Sequence, residues 1–116
     1  MPDIDVEVFD VEQALRAVDH DRELLCELCE LYNEDAGEML DAVLAAIRTA
    51  DLDAIARAAH TLKGASATIG AREVTELSKI LEEGARTGTL EDAPGVGARL
   101  EAATNRLVAA LRDWSA

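Results

Sequence analysis

Apolar residues recur at steps of three and four along nearly the whole chain, the spacing of helices that turn one face inward. Asp10 is placed to cap a short first helix through Val11, Ala14, Leu15 and Val18, with Phe9 ahead of it as a hydrophobic staple. A longer stripe runs through Leu24, Leu28, Leu31, Tyr32, Met39, Val43 and Ile47. It lies opposite Glu23, Glu27, Glu30, Glu34 and Glu38, which form a solvated face. Gly37 interrupts this helix at modest cost, the pattern stops near Ala50, and Asp51 can cap the next segment. There Leu52, Ile55, Ala59, Leu62, Ser66 and Ile69 make a third inward stripe, with Gly70 suited to a left-handed C-terminal position. Val74, Leu77, Ile80 and Leu81 mark a fourth helix that closes in the region Gly84 to Gly88, where Arg86, Thr87 and Gly88 read as a turn. A fifth begins at about Pro94 with Val96, Leu100, Ala103, Leu107, Ala110 and Leu111 inward, and Trp114 can cover one end of the core. No strand or repeat pattern competes. The expected fold is all-α: an antiparallel four-helix bundle, its helices within about 21–114, and a short additional N-terminal helix over about 10–18.

A chain of 116 residues is expected to form one domain over 1–116, and one that starts at Met1 and ends soon after its last helix is expected to be self-contained. Asp and Glu number 24 against 11 Lys and Arg, a net charge of -13, which would be repelled by phosphate backbones and anionic lipid; nucleic acid and membrane surfaces are excluded as partners. Nothing near Met1 resembles a signal peptide, and no apolar run approaches the ~20 residues of a membrane span, so a cytoplasmic address and a monomer are expected. Cys26 and Cys29 form a single C-x-x-C inside a helical pattern, without the second pair that zinc needs and without the strand that precedes a thioredoxin-like motif. Reduced, structural cysteines and no metal or cofactor are expected.

His60 points away from the inward stripe of its own helix, which disfavours a core histidine. A surface histidine without a role is the competing reading, and the neighbours weigh against it. Ala56, Lys63, Gly64 and Ala67 occupy the adjoining positions one or two turns either way. A glycine inside a helix costs ~1 kcal/mol relative to alanine, so Gly64 suggests that another protein's backbone needs the space beside the imidazole; Ala56, Gly64 and Ala67 are the candidate partner-binding residues. No acid occurs from Ala54 to Ala71, only Arg57 and Lys63, in an otherwise anionic chain. An exposed neutral ring, a cation for charge stabilisation at Lys63 and an access notch suit transient phosphorylation of the ring nitrogen. His20, between Asp19 and Asp21 in a turn, has no such company and reads as a surface residue.

The run His60-Thr61-Leu62-Lys63-Gly64-Ala65-Ser66, then Ile69-Gly70-Ala71, then Leu77 and Leu81-Glu82, resembles the signature of the histidine-phosphotransfer (HPt) domain. Ala46-Ile47, Asp51-Leu52 and Ala58-Ala59-His60 extend the likeness over most of the chain, and the motif is specific in combination although H-x-x-K-G alone is weak. The resemblance implies that His60 is the phosphoacceptor, taking its phosphoryl group from an aspartyl phosphate on one receiver domain and giving it to another, without an ATP-dependent kinase activity of its own. It implies partners that are receiver domains, a hybrid histidine kinase, or both. The Mg²⁺ that such transfer uses would belong to the receiver. Glu82 stands where the family often has a polar side chain bonded to the ring nitrogen that is not phosphorylated, and its carboxylate would orient the imidazole.

Two other classes remain open. One is a bundle that serves as an adaptor through the same face without being phosphorylated; the other is the phosphoacceptor module of a larger chemotaxis-type or hybrid histidine kinase. A kinase or hydrolase in its own right is disfavoured, since no Gly-rich nucleotide loop, paired-carboxylate site or nucleophile with its base is found.

Overall fold

The computed structural model describes residues 4–115; Met1–Asp3 and Ala116 of the expected 1–116 domain lie outside the described residues. Five helices follow in order: α1 (Val11–Ala17), α2 (Arg22–Arg48), α3 (Leu52–Thr68), α4 (Arg72–Thr87) and α5 (Ala93–Ser115), with no strand among the described residues. The four long helices contact one another in a ring, α2 on α3, α3 on α4, α4 on α5 and α5 on α2, as short turns between consecutive helices require. The bundle with its extra N-terminal helix is the architecture read from the periodicity.

The helix starts follow from local chemistry. Asp10, Asp21 and Asp51 each accept a hydrogen bond from a backbone N–H in the first turn, at Gln13, Leu24 and Ala54, which satisfies donors that a helix leaves unpaired. At α4 the cap residue is Ala71, which has no side chain to offer; instead the N–H of Glu73 donates to the Glu7 carbonyl at 2.8 Å. The N-terminal segment thus runs across the α3–α4 turn. The Asp10 N–H donates to the Gly70 carbonyl at 2.8 Å, and the Arg72 guanidinium bonds the Asp10 carboxylate at 2.6 Å. Gly70 has φ +73, and a Cβ there would stand 2.8 Å from the Asp10 carbonyl oxygen.

Inside, Leu25, Val43, Ile55, Ala59, Leu62, Leu81, Leu100, Ala103, Leu107 and Leu111 are fully or almost fully buried. At one end Phe9 and Trp114 meet edge to face with ring centroids 5.9 Å apart, and Arg22 lies 4.4 Å above the Trp114 ring. Phe9 does more than staple α1, since it closes the core with Trp114.

Three inward stripes differ from the expected ones. In α2 the buried positions are Leu25, Cys29, Tyr32, Ala36, Leu40, Val43 and Ala46, whereas Leu24 and Leu31 are 40% and 55% exposed. Tyr32 and Val43 belong to both sets, but Leu24 and Leu31 each stand about 100° from the buried Leu25 and Tyr32 that follow them, and Cys29, Ala36 and Ala46 in the buried row are small residues that advertise a core face weakly. Leu52, in the first turn of α3, is exposed, and so is Ile80 in α4. In α4 the polar Ser78 and Glu82 take inward positions beside Val74, Leu81 and Ala85, which displaces the stripe from Ile80. Arg86 and Thr87 are not a turn but the last residues of α4; Gly88 alone, at φ +69, ends it.

Replacing Gly70 by alanine combines left-handed strain with a clash against the strap. Gly70→Ala is expected to lower stability by about 2 kcal/mol or more, read from urea or thermal unfolding.

Candidate functional site

The site is built on the facing sides of α3 and α4. The α3 residues turned to this interface are small, Ala56 and Ala59, and on α4 Ser78 and Ala85 flank Glu82, so the two backbones can approach closely and carry a carboxylate into the seam. Glu82 is only 1% exposed. A buried carboxylate without partners would be costly, and this one has three. Its Oε2 accepts a hydrogen bond from His60 Nδ1 at 2.7 Å and meets Arg86 Nη2 at 2.7 Å, while Lys63 Nζ lies 2.5 Å from Oε1. Burial alone would push the Glu82 carboxyl up; the bonds from Lys63 and His60 and the charge of Arg86 outweigh it and hold the group below its ordinary range. The carboxylate is therefore ionised at neutral pH and can only accept. It follows that in the neutral ring Nδ1 carries the proton and Nε2 the lone pair. The His60 side chain is 61% exposed, so that lone pair is accessible from solution.

Of the residues singled out from the sequence, His60, Lys63 and Glu82 come together. Lys63, expected as the cation for charge stabilisation beside the ring, is 31% exposed and turned onto Glu82. Gly64 is exposed, with no atom within 4 Å of where a Cβ would stand, and Ala67 is exposed further along the same helix. Ala56 is not available in the same way: it is 8% exposed and belongs to the core, because on α3 it lies next to Ile55 and Ala59 at the seam with α4. Arg86 was missed as a site residue because it had been placed in a turn. The signal was present, since a residue four positions after Glu82 on a continuing helix shares its side.

Ser66 of the same motif is fully buried and shares a 3.0 Å hydrogen bond with the Tyr32 hydroxyl, tying α3 to α2 behind the site. Burial pushes the Tyr32 hydroxyl up, against the opposing bond from Ser66. Cys26 and Cys29 are free thiols, the second in the core, where burial pushes it up to about 11. Such a thiol is a poor nucleophile and serves as packing. His20 is exposed at φ +62 in the turn before α2, away from these groups. Among the described residues no three His, Cys, Asp or Glu side chains gather as metal ligands.

The bundle thus presents His60 to solvent with its inner ring nitrogen bonded to a buried carboxylate of the next helix. Residues 27–114 match the Hpt domain family, and the chain belongs to that family. Its role is accordingly histidine phosphotransfer in phosphorelays, a carrier's role in which Hpt domains interact with receiver domains and histidine kinases. Two solved structures share the fold. The HPt domain of a sensor hybrid histidine kinase from Shewanella superposes with a TM-score of 0.84 at 19% identity, over 94% of each chain. The histidine-containing phosphotransfer protein B of Pseudomonas aeruginosa PAO1 gives 0.83 at 25% identity, over 93% of this chain and 94% of that one. No curated protein matches the chain.

The low Glu82 pKa makes a pH prediction. A group whose folded pKa is depressed contributes stability above its unfolded pKa and loses it as pH falls through the folded value. Glu82→Gln is therefore expected to be less stable than the parent at neutral pH, with the difference shrinking as pH drops through the carboxylate range; thermal unfolding of both proteins across that range checks it.

Proposed function

We propose that His60 Nε2 is the phosphoryl acceptor and donor of this Hpt domain. The single observation that carries the reading is the bond from His60 Nδ1 to a buried, ionised Glu82, which leaves the solvent-facing Nε2 unprotonated. In the forward step the Nε2 lone pair forms a bond to phosphorus while the acyl O–P bond of an aspartyl phosphate on a receiver breaks, its electron pair returning to the aspartate. The onward step is the same exchange in reverse, to the aspartate of a second receiver. Such transfer needs positioning and charge neutralisation more than acid–base work, so the domain acts as a carrier and not as an ATP-dependent kinase.

The receiver's access is assigned to the strip beside the ring, where Gly64 and Ala67 present almost no side chain. Adding a methyl at Gly64 meets nothing within 4 Å, so that glycine is not kept to avoid a clash inside the protein, and its use lies outside it. A hybrid histidine kinase that carries its own receiver is a partner of the same chemistry. The carrier is read as a cytoplasmic monomer, an address under which Cys26 and Cys29 remain the thiols they are here. No helix of the described residues is long and apolar enough to cross a membrane.

Incubation with a panel of phosphorylated receivers, followed by acid and alkali treatment of the product, tests the proposal. The parent protein is expected to take up label that is lost in acid and kept in alkali, as for phosphohistidine. His60→Gln should keep its helical circular dichroism and take up none. Gly64→Gln should fold as well and transfer at least about tenfold more slowly, because its side chain occupies the notch. Undiminished labelling of His60→Gln would remove His60 from the role.

A further inference from the structure

Ser78 is fully buried on α4, and its hydroxyl has no hydrogen-bond partner among the described residues. Thr61, Thr68, Thr75 and Thr104 each donate to the carbonyl four residues back, the usual outlet for a hydroxyl on a helix, and Ser78 does not. A buried hydroxyl left unpaired is costly, and alanine would fill the position without that cost. One turn further on, Glu82 Oε1 is buried too; the Lys63 ammonium neighbours it, and no donor is aligned on it as a hydrogen bond. A donor without an acceptor and an acceptor without an aligned donor thus stand four residues apart on one face of α4.

We propose that Ser78 is a positioning residue for His60: its hydroxyl turns onto Glu82 Oε1 and holds the carboxylate against the ring when the Lys63 ammonium swings out toward a phosphoryl group. Long side chains on a helix lean toward its N-terminus, so the Glu82 carboxylate extends back over the turn that carries Ser78. The partners of the two oxygens fit this direction. Oε2 takes His60 and Arg86, the latter one turn toward the C-terminus of α4. Oε1 takes Lys63, which follows His60 on the antiparallel α3 and so lies toward the N-terminal side of α4, where Ser78 is. Lys63 is 31% exposed on a flexible stem and has solvent to move into, whereas Ser78 stays in the seam and changes only its rotamer. Its hydroxyl keeps Oε1 from being stranded in the interior once the ammonium has gone. The consequence for phosphotransfer rests on His60 being the acceptor; the bond between Ser78 and Glu82 does not.

Lys63→Met imitates the departure of the ammonium in the unmodified protein, so the test is a cycle of parent, Ser78→Ala, Lys63→Met and the double variant, with the Glu82 carboxyl titrated by ¹³C NMR. Ser78→Ala is expected to leave the Glu82 midpoint unmoved in the parent and to raise it by about one pH unit, a tenfold change in proton affinity, in Lys63→Met. Equal effects in the two backgrounds, whether nil or large, would overturn the proposal. A second comparison needs no Lys63 variant. Phosphoramidate phosphorylates the ring as the Nε2 lone pair bonds to phosphorus, the P–N bond breaks and ammonia leaves. The His60 Nδ1 resonance, read by ¹⁵N NMR, is then expected to differ between phosphorylated parent and phosphorylated Ser78→Ala while the unmodified pair agree; identical resonances in the phosphorylated pair would overturn the role of Ser78. The acceptor reading fails separately, by a phosphohistidine ³¹P resonance in His60→Gln as strong as in the parent.

Discussion

Everything at this site depends on a single ionised carboxylate held in the seam between α3 and α4. Glu82 is 1% exposed, and a charge so placed is tolerated only when opposite charge and hydrogen bonds compensate its burial. The ion pairs with Lys63 and Arg86 and the hydrogen bond from His60 do so, one partner from the same helix and two from the facing one. The arrangement has a direction. Because an ionised carboxylate cannot donate, the neutral imidazole bonds to it through Nδ1–H, and under the proposed function the opposite nitrogen is a nucleophile that needs no base at the moment of transfer. Stability and reactivity thus share an interaction: the groups that make the buried charge acceptable are the groups that prepare the ring.

The rest of the bundle keeps that carboxylate in register. Small residues at Ala56, Ala59, Ser78 and Ala85 let α3 and α4 approach, and Ser66 ties α3 to α2 through Tyr32. The start of α4 is set by a segment distant in sequence. Glu7 supplies the carbonyl that caps Glu73, Asp10 binds both the Gly70 carbonyl and Arg72, and Phe9 anchors the same segment against Trp114. A shift of α4 by one residue would rotate Glu82 about 100° and remove it from the ring.

The sequence alone revealed those parts whose physical signal is local. Helix number and order followed from apolar spacing, Asp10 and Asp51 from capping, and His60 with Lys63 and Gly64 from their incongruity on an exposed face. The buried setting of Glu82 carries no such signal, since an acid on an amphipathic helix looks solvated until a neighbouring helix is laid over it; its role came from family resemblance. Glu82 and Ser78 at inward positions also made Ile80 look like core. Arg86 was hidden by the glycines on either side of it, which suggested a turn where α4 continues. In α2 the core row of Cys29, Ala36 and Ala46 was overshadowed by Leu24 and Leu31 on the adjoining row. The cap of α4 by Glu7 is a contact between distant segments and is not written in local composition.

The central claim is that Glu82 fixes the tautomer of His60, and the most direct measurement is ¹⁵N NMR of the histidine ring at neutral pH and above. The account predicts a His60 Nδ1 that carries a proton and an Nε2 that does not, with this preference lost in Glu82→Ala. A protonated Nε2 in the unmodified protein, or a tautomer preference indifferent to Glu82, would contradict it.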